Sequence, residues 1–384
     1  MNLEELREQF PVTDKAIYLN HAAIGPSPIP VIEECKKLLI QHKLYGELYS
    51  GSLSEMLDQL DQDRKIIGKF INARYPEEEI AFTYNTSYGL AAIAEGIDWK
   101  KGDRIILNDL EYTSNSYTYQ ALAKKWHLDL EIVQNIQGRL LLDKFVEKIK
   151  KPTRLVAISH VQFSNGFRVD LKELSRICHE NDVQLIVDAI QSLGAIPLDV
   201  KTQAIDYLAT GGYKWLLGPL STGFIYIKRE LADELNPSFI GSMSDTNPLN
   251  LSHHTYSPAT GAKRFQASLD SNPQLITKAV EFLDNIGINN IFRHIMKLTD
   301  LAIELVQNES SFHLKTPIED TKCRSGIINF SCQSGDEIVN KLRKLPTPIV
   351  ISYREGGLRL SPHCYNSEEE IEITLRTIKS LNKK

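Results

Sequence analysis

The chain has little positive charge, few cysteines and no long apolar run, and each shortage argues against a class of function. Its 44 Lys and Arg against 49 Asp and Glu leave a net charge of -5. A general nucleic-acid binder needs a basic face, so nucleic acid is not an expected partner. The five cysteines, Cys35, Cys178, Cys323, Cys332 and Cys364, are scattered and no two stand in a CxxC spacing. That argues against a disulfide framework and a zinc site, so no metal is expected and the expected compartment is the reducing cytoplasm. No apolar run approaches a membrane span, so no membrane association is expected. The stretch "MNLEELREQFPVTDK" lacks a basic start and an apolar core, and is not expected to be a signal peptide. No G-x-G-x-x-G follows the early strand-like runs and no G-x-x-x-x-G-K-[ST] occurs, which disfavours a nucleotide-dependent enzyme. His160 and the pair His253-His254 read as ordinary polar histidines rather than ligands.

What remains is an ordinary globular composition, 42% hydrophobic and 24% charged, in a chain of 384 residues that is long for one compact core. Residues 79–84, 103–109, 128–134, 153–161, 183–190, 205–211 and 222–228 read as strands. Helical patterns at 87–95, 116–126, 141–148 and 171–181 lie between several of them. Strands apolar on both faces, alternating with helices, predict a mostly parallel seven-stranded sheet between helices. The last strand follows its predecessor too closely for a helical crossover, so it pairs antiparallel or sits at an edge. Beyond residue 245 the chain turns polar, with Pro248 and Pro258, then becomes a long helical pattern broken near Gly287. Short strands "GIINFSC" and "TPIVISYR" and a final helix opened by Ser367 and Glu370 at capping-box spacing complete a smaller α+β C-terminal domain. The expected division is an N-terminal arm (1–15) packing on the small domain, a large domain (16–257) and a small C-terminal domain (258–384).

Chemistry concentrates where strands end. "VQLIVDAIQS" closes an apolar run on Asp188, with Gln191 three residues on. An acid there caps the next element or faces a ligand, since parallel sheets bind ligands beyond the C-terminal ends of their strands. "GGYKWLLGP" sets Lys214 behind two glycines, which permit a tight turn or close approach. Lys214 is either a solvent-facing loop lysine or a partly desolvated amine suited to bonding a carbonyl compound such as pyridoxal phosphate. "FTYNTSYGL" passes from strand to helix through Asn85, Thr86 and Ser87, which suits helix capping and a phosphate dianion alike. Tyr112 follows another strand, as a core aromatic or as a flat surface for a cofactor ring.

Taken together, "YLNHAAIGPSP", "NTSYGL", "LEYTSN", "VDAIQSLGAIPLDV", "GGYKWLLGP", "RFQAS" and "LRLSPHCYNSEEEI" resemble, in order and over nearly the whole chain, the class V aminotransferase family of fold-type I pyridoxal-phosphate enzymes. That family includes cysteine desulfurases, selenocysteine lyases, kynureninases and isopenicillin-epimerase-like proteins. The resemblance implies that Lys214 forms the internal aldimine and Asp188 partners the pyridine nitrogen. It implies that Gln191 bonds the ring hydroxyl, that Thr86, Ser87 and Tyr213 hold the phosphate, and that Tyr112 stacks on the ring. Arg359 matches the arginine that clamps a substrate α-carboxylate, with Asn20 and Ala22 beside the substrate. The cofactor is then pyridoxal 5'-phosphate, the substrate a small amino acid, and the assembly a homodimer with its active site near the interface.

Three departures qualify that reading. Desulfurases carry a catalytic cysteine shortly before the carboxylate arginine, and "VISYREGGLRLSPH" is short and has none. Ser268-Leu269 replaces the residues through which a neighbouring subunit reaches the phosphate, and Phe163 stands where desulfurases have asparagine, with Gln162 or Asn165 as substitutes. The resulting expectation is a transferase, lyase or epimerase acting at the α- or β-carbon. The alternatives are a selenocysteine lyase or desulfurase-like enzyme and, from another class, a non-catalytic cofactor-binding regulator or scaffold.

Overall fold

The computed structural model describes residues 2–46, 53–250, 252, 254–268 and 273–382. His253 and Leu269 lie outside them, and with Leu269 the expectation attached to Ser268-Leu269. The small β1 (Ile17–Tyr18) comes first, followed by seven strands in one large sheet. These are β2 (Ile80–Thr83), β3 (Arg104–Asn108), β4 (Asp129–Val133), β5 (Thr153–Ser159), β6 (Gln184–Asp188), β7 (Tyr207–Gly211) and β8 (Gly223–Ile227). The spatial order is β2-β8-β7-β6-β5-β3-β4, and every neighbouring pair is parallel except the two made by β8. Each of the seven lies within a stretch the sequence marks as strand. β8 is antiparallel, as its short connection requires, but it sits inside the sheet and β2 takes the edge.

The alternation along each strand feeds two cores. Leu185 and Val187 of β6 join one apolar cluster while Ile186 between them joins another on the opposite side. Helices cover both sides, which is why β7 and β8 are buried at every position. The helical pattern broken at Gly287 resolves into helices Pro273–Ile286 and Ile288–Gln307, with Gly287 between them at φ 88°.

A smaller sheet holds β9 (His313–Leu314), β10 (Ile328–Ser331), β12 (Ser352–Arg354) and β13 (Gly357–Leu360), all antiparallel, while β11 (Ile349–Val350) pairs in parallel with β1. Its own core gathers Leu298, Ile303, Phe330, Ile351, Leu358, Leu360 and the final helix, Glu368–Asn382. That helix opens with the expected reciprocal cap: Ser367 N–H donates to Glu370 Oε2, and Glu370 N–H to Ser367 Oγ. The core of the large sheet continues past residue 258, taking in Ala262, Phe265, Val280 and Ile295. The N-terminal helix Leu3–Glu8 is followed by Phe10, whose ring stacks on Tyr365 at 4.2 Å, and Arg7 pairs with Glu370.

Candidate active site

Parallel strands end along one edge, and the loops leaving that edge carry the chemistry. β7 ends at Gly211, and the chain turns back on itself before entering β8. Gly212 N–H donates to Thr222 O and Gly218 N–H to Gly212 O, both at 2.8 Å, so the loop is closed by its own backbone. A side chain at Gly212 would stand 2.3 Å from Thr222 Oγ1, so the closure needs glycine there. Lys214 sits on this loop, 9% exposed, and its amine has no ion-pair partner among the described residues. The amine lies 5.8 Å from the ring centroids of both Tyr112 and Tyr213. Burial pulls its pKa down, partly opposed by Asp188, with Arg359 and Arg354 pushing the same way as burial. A larger neutral fraction makes it a better nucleophile and base.

Asp188 closes β6 and is buried. Its Oδ1 accepts Ile190 N–H at 2.9 Å, so it caps the following turn as well as facing the site. Burial raises its pKa, while Lys214 opposes the rise. A buried acid across from a buried amine is a pair whose charge a cationic ring nitrogen stabilises. Gln191 is held at both ends: Nε2 donates to Ala22 O at 3.0 Å and Oε1 accepts Trp215 Nε1–H at 2.9 Å. One amide N–H remains for a ring hydroxyl.

Thr86 opens the helix Thr86–Gly96, capped by Asn85 through Tyr88 N–H. Thr86 Oγ1 is buried with no hydrogen-bond partner among the described residues. A hypothetical Cβ on Gly211 would meet Tyr213 Cε1 at 3.1 Å and Thr86 Oγ1 at 3.3 Å, so these two groups flank the same glycine. Ser87 is exposed beside them. An unpartnered buried hydroxyl, a helix N-terminus and a tyrosine converging on bare glycine fit a phosphate group.

The small sheet closes the site from the other side. Arg359 is 2% exposed, yet its Nη1 donates to Phe163 O at 2.7 Å and its Nε has no partner among the described residues. Burial lowers its pKa to about 9, so it remains charged at neutral pH. A buried guanidinium with donor capacity to spare and no carboxylate is a receptor for one. Phe163 also packs edge-on against Tyr112, 5.2 Å between centroids, and so joins the ring side to the carboxylate side. Among the described residues, neither substitute polar group bonds a side chain of the candidate site. Asn165 is spent on Gly138 O and Phe167 N–H, and Gln162 Nε2 reaches Ser159 O. Asn20 Oδ1 accepts Ser352 Oγ–H, and Ala22 N–H donates to Ser361 Oγ, so the N-terminal segment is stitched to the small sheet above Lys214.

Two supports are invisible in the sequence. Glu111 takes hydrogen bonds from Asn108 and Asn115 side chains and from Ser159 N–H and Oγ–H, tying the ends of β3 and β5 to the turn that presents Tyr112. Behind Trp215 lie His21 and His363. His363 Nδ1 accepts Cys364 N–H, so Nε2 must carry the proton it gives to Trp215 O at 3.0 Å. Burial lowers the His363 pKa to about 4, which keeps this support neutral.

A family model described as Aminotransferase class-V matches residues 17–345. A protein of Pyrococcus abyssi named probable cysteine desulfurase is 30% identical, over 99% of this chain and 98% of its own length. An apo cysteine desulfurase from Thermococcus onnurineus superposes with a TM-score of 0.88 at 28% identity, covering 99% of this chain and 98% of its own. A mutant C-DES protein with glycine covalently linked to its pyridoxal-phosphate cofactor shares the fold at TM-score 0.88 and 24% identity, with 97% and 98% covered. With the site's residues fitting that cofactor and the family model matching most of the chain, the chain belongs to the class V aminotransferases, enzymes that use pyridoxal phosphate.

Proposed function

We propose that Lys214, Asp188, Gln191, Thr86, Ser87, Tyr112 and Tyr213 hold pyridoxal 5'-phosphate, and that Arg359 presents a small amino acid to it through the α-carboxylate. When bound, the cofactor supplies an aldehyde for the substrate amine and an electron sink for charge left at Cα. The observation that carries the reading is the buried Lys214 amine, 5.8 Å from the centroids of two tyrosine rings and without an ion-pair partner among the described residues. Asp188 keeps the ring nitrogen protonated. The Gln191 N–H left over bonds the ring hydroxyl, and Trp215 and Ala22 fix the amide's direction. Arg359 fixes the carboxylate, so the bond at Cα that breaks is the one it turns toward Lys214. Lys214 Nζ then takes or returns a proton at Cα, helped by its lowered pKa.

The relatives' name brings desulfuration forward, but a persulfide carried on the enzyme needs an enzyme thiol beside the carboxylate arginine. The hairpin β12–β13 that carries Arg359 has none, and Cys364 is buried with its thiol pKa pushed up by burial. We therefore favour transamination or β-elimination without an enzyme thiol. Exposed Leu220, Phe239 and Ile240 follow the Lys214 loop, and Leu39, Ile40 and Leu44 are exposed on the helix Ile29–Tyr45. These apolar side chains support a homodimer whose interface lies near the active site. No helix among the described residues is long and apolar enough to cross a membrane, and a cytoplasmic enzyme remains part of the proposal. Our reading keeps residues 1–15 as the arm and moves the passage from large to small unit from residue 258 into Ile288–Gln307, a reading supported by the change of core membership along that helix.

The test is borohydride reduction of the protein purified with pyridoxal phosphate, followed by peptide mapping. The label falls on Lys214, and a Lys214→Ala protein gives no reducible lysine bond. A Lys214→Ala protein that still forms one refutes the assignment. Product analysis across a panel of amino acids, for pyruvate, sulfide and keto acids, then separates elimination from transamination.

A further inference from the structure

We propose that Glu111 is a positioning residue for the ring-nitrogen end of the site: its fixed negative charge keeps a proton on the pair formed by Asp188 and the ring nitrogen across neutral and alkaline pH. The inference rests on the reading of Asp188 as the ring-nitrogen partner.

The sheet brings the two acids together. Ser159 ends β5 in register with Asp188 at the end of β6, one strand spacing or about 4.8 Å away. Glu111 takes both donors of Ser159, the N–H at 2.7 Å and the Oγ–H at 2.5 Å. It therefore lies beside the strand next to Asp188, at the same edge of the sheet. Asn108 Nδ2 at 2.5 Å, Asn115 Nδ2 at 2.8 Å and Gln162 Nε2 at 3.4 Å complete its partners. Every one of them donates, as an ionised carboxylate requires. Every one is also neutral, and no lysine, arginine or histidine pairs with Glu111 among the described residues. The hydrogen bonds fix the charge in place without cancelling it.

A second observation puts both carboxylates against one enclosed space. Tyr119 follows Asn115 by one turn of the helix Thr113–Trp126, is fully buried, and its hydroxyl has no partner among the described residues. Burial raises its pKa, and Glu111 and Asp188 both raise it further. The charged and titratable groups that bear on Asp188 are then the Lys214 cation, the Glu111 anion and two neutral phenols, Tyr119 and Tyr213. Burial raises the Asp188 pKa, Glu111 adds to the rise, and Lys214 opposes it. A nearby negative charge favours the protonated member of any acid–base pair. Glu111 thus raises the proton affinity of Asp188 and of a ring nitrogen bonded to it alike. Whichever atom holds the proton, the pair keeps it to higher pH, by about one pH unit for a partly buried charge at this remove. Bracing the Tyr112 turn is a separate role and depends on the shape of Glu111, not on its charge.

Nitrogen-15 NMR of the holoenzyme, loaded with ring-labelled pyridoxal phosphate, reads the ring nitrogen's proton without turnover. In Glu111→Gln the midpoint for losing that proton should fall by about one pH unit. Glu111→Ser, which leaves room for water at the stranded donors, should give the same fall and serves if the glutamine variant does not fold. Asn115→Ala loosens the same turn but keeps the charge, so its midpoint should stay within about 0.3 pH unit of wild type. A charge-free variant that titrates like wild type from about pH 6 to 10, or an equal fall in Asn115→Ala, overturns the proposal. Failure of the underlying site reading looks different: Asp188→Asn would leave the ring nitrogen's titration unmoved, or the Lys214 label would be missing.

Discussion

Gly25 is the contact through which the N-terminal segment holds the Lys214 loop. Its N–H donates to Tyr213 O at 2.8 Å, and a Cβ built on it stands 2.0 Å from Lys214 O, 3.0 Å from Lys214 C and 3.1 Å from Leu217 Cδ2. An unstrained carbon to oxygen contact is about 3.3 Å, so Gly25→Ala must move backbone apart by roughly 1.3 Å. Two of the three obstacles are backbone atoms of a loop closed by its own hydrogen bonds, so the strain belongs at the upper end of overpacking, roughly 3 kcal/mol. Urea unfolding reads this as a lowered midpoint at unchanged slope. The loop carries the Lys214 amine with it, and a displacement near 1 Å at a reacting group slows chemistry about 10²-fold. Formation of the bond to pyridoxal phosphate, followed by absorbance, reads that second effect. If the variant unfolds within about 0.5 kcal/mol of wild type, the range of an inert surface change, the clamp reasoning is wrong.

Three further outcomes follow from other contacts. Asp63 is buried, accepts Thr277 Oγ–H at 3.0 Å and has its pKa raised by burial to about 6 from 3.8. A raised carboxyl pKa favours folding below the unfolded value and loses that contribution as pH rises through about 6, so Asp63→Asn should stabilise the protein at pH 8 by up to roughly 3 kcal/mol and by nothing near pH 3; equal gains at both pH values in urea melts would contradict it. Glu111→Ala strands the Ser159 N–H and two asparagine amides, and should lower stability by roughly 1–3 kcal/mol and weaken cofactor binding through the Tyr112 turn, read by melts and cofactor titration. Trp215→Phe frees the Gln191 amide to turn away from Ala22, and should shift the absorbance of the bound cofactor while Lys214 still bonds it; an unchanged spectrum would show that Gln191 is held by other means.

The seven strands of the large sheet were legible because each is a run rich in apolar residues between turn residues or helices, and all but the edge strand β4 are almost wholly buried. Asp188 and Lys214 stand out at the ends of such runs, but taken alone each also reads as a turn cap or a solvent-facing loop residue, and their expected roles came from the resemblance. Glu111 was not legible. It lies inside "LEYTSN", where an acid after a strand reads as surface, and its role exists only because the ends of β3 and β5 lie side by side. His21 and His363 were hidden likewise, since their partners are Ser361, Tyr365 and Trp215, in distant parts of the chain.

Arg359 shows where sequence reading stops. The resemblance located it, but not the strand that holds it. "GLRL" is four residues with a charge at its centre, and "TPIVISYR" reads as one strand where the chain makes two, β11 and β12, in different sheets around the buried Ile351. The turn between β12 and β13 does leave a signal, since Glu355 and Gly356 both take positive φ, 49° and 73°, and "EGG" supplies glycine at the second of them. Reading that turn fixes the register, and the register decides which side chains leave the core. Leu358 and Leu360 must be buried, so Arg359 must face the other way, and the same parity sends Arg354 with it. The face that carries Arg359 therefore follows from hydrophobic alternation in the hairpin, independently of any resemblance.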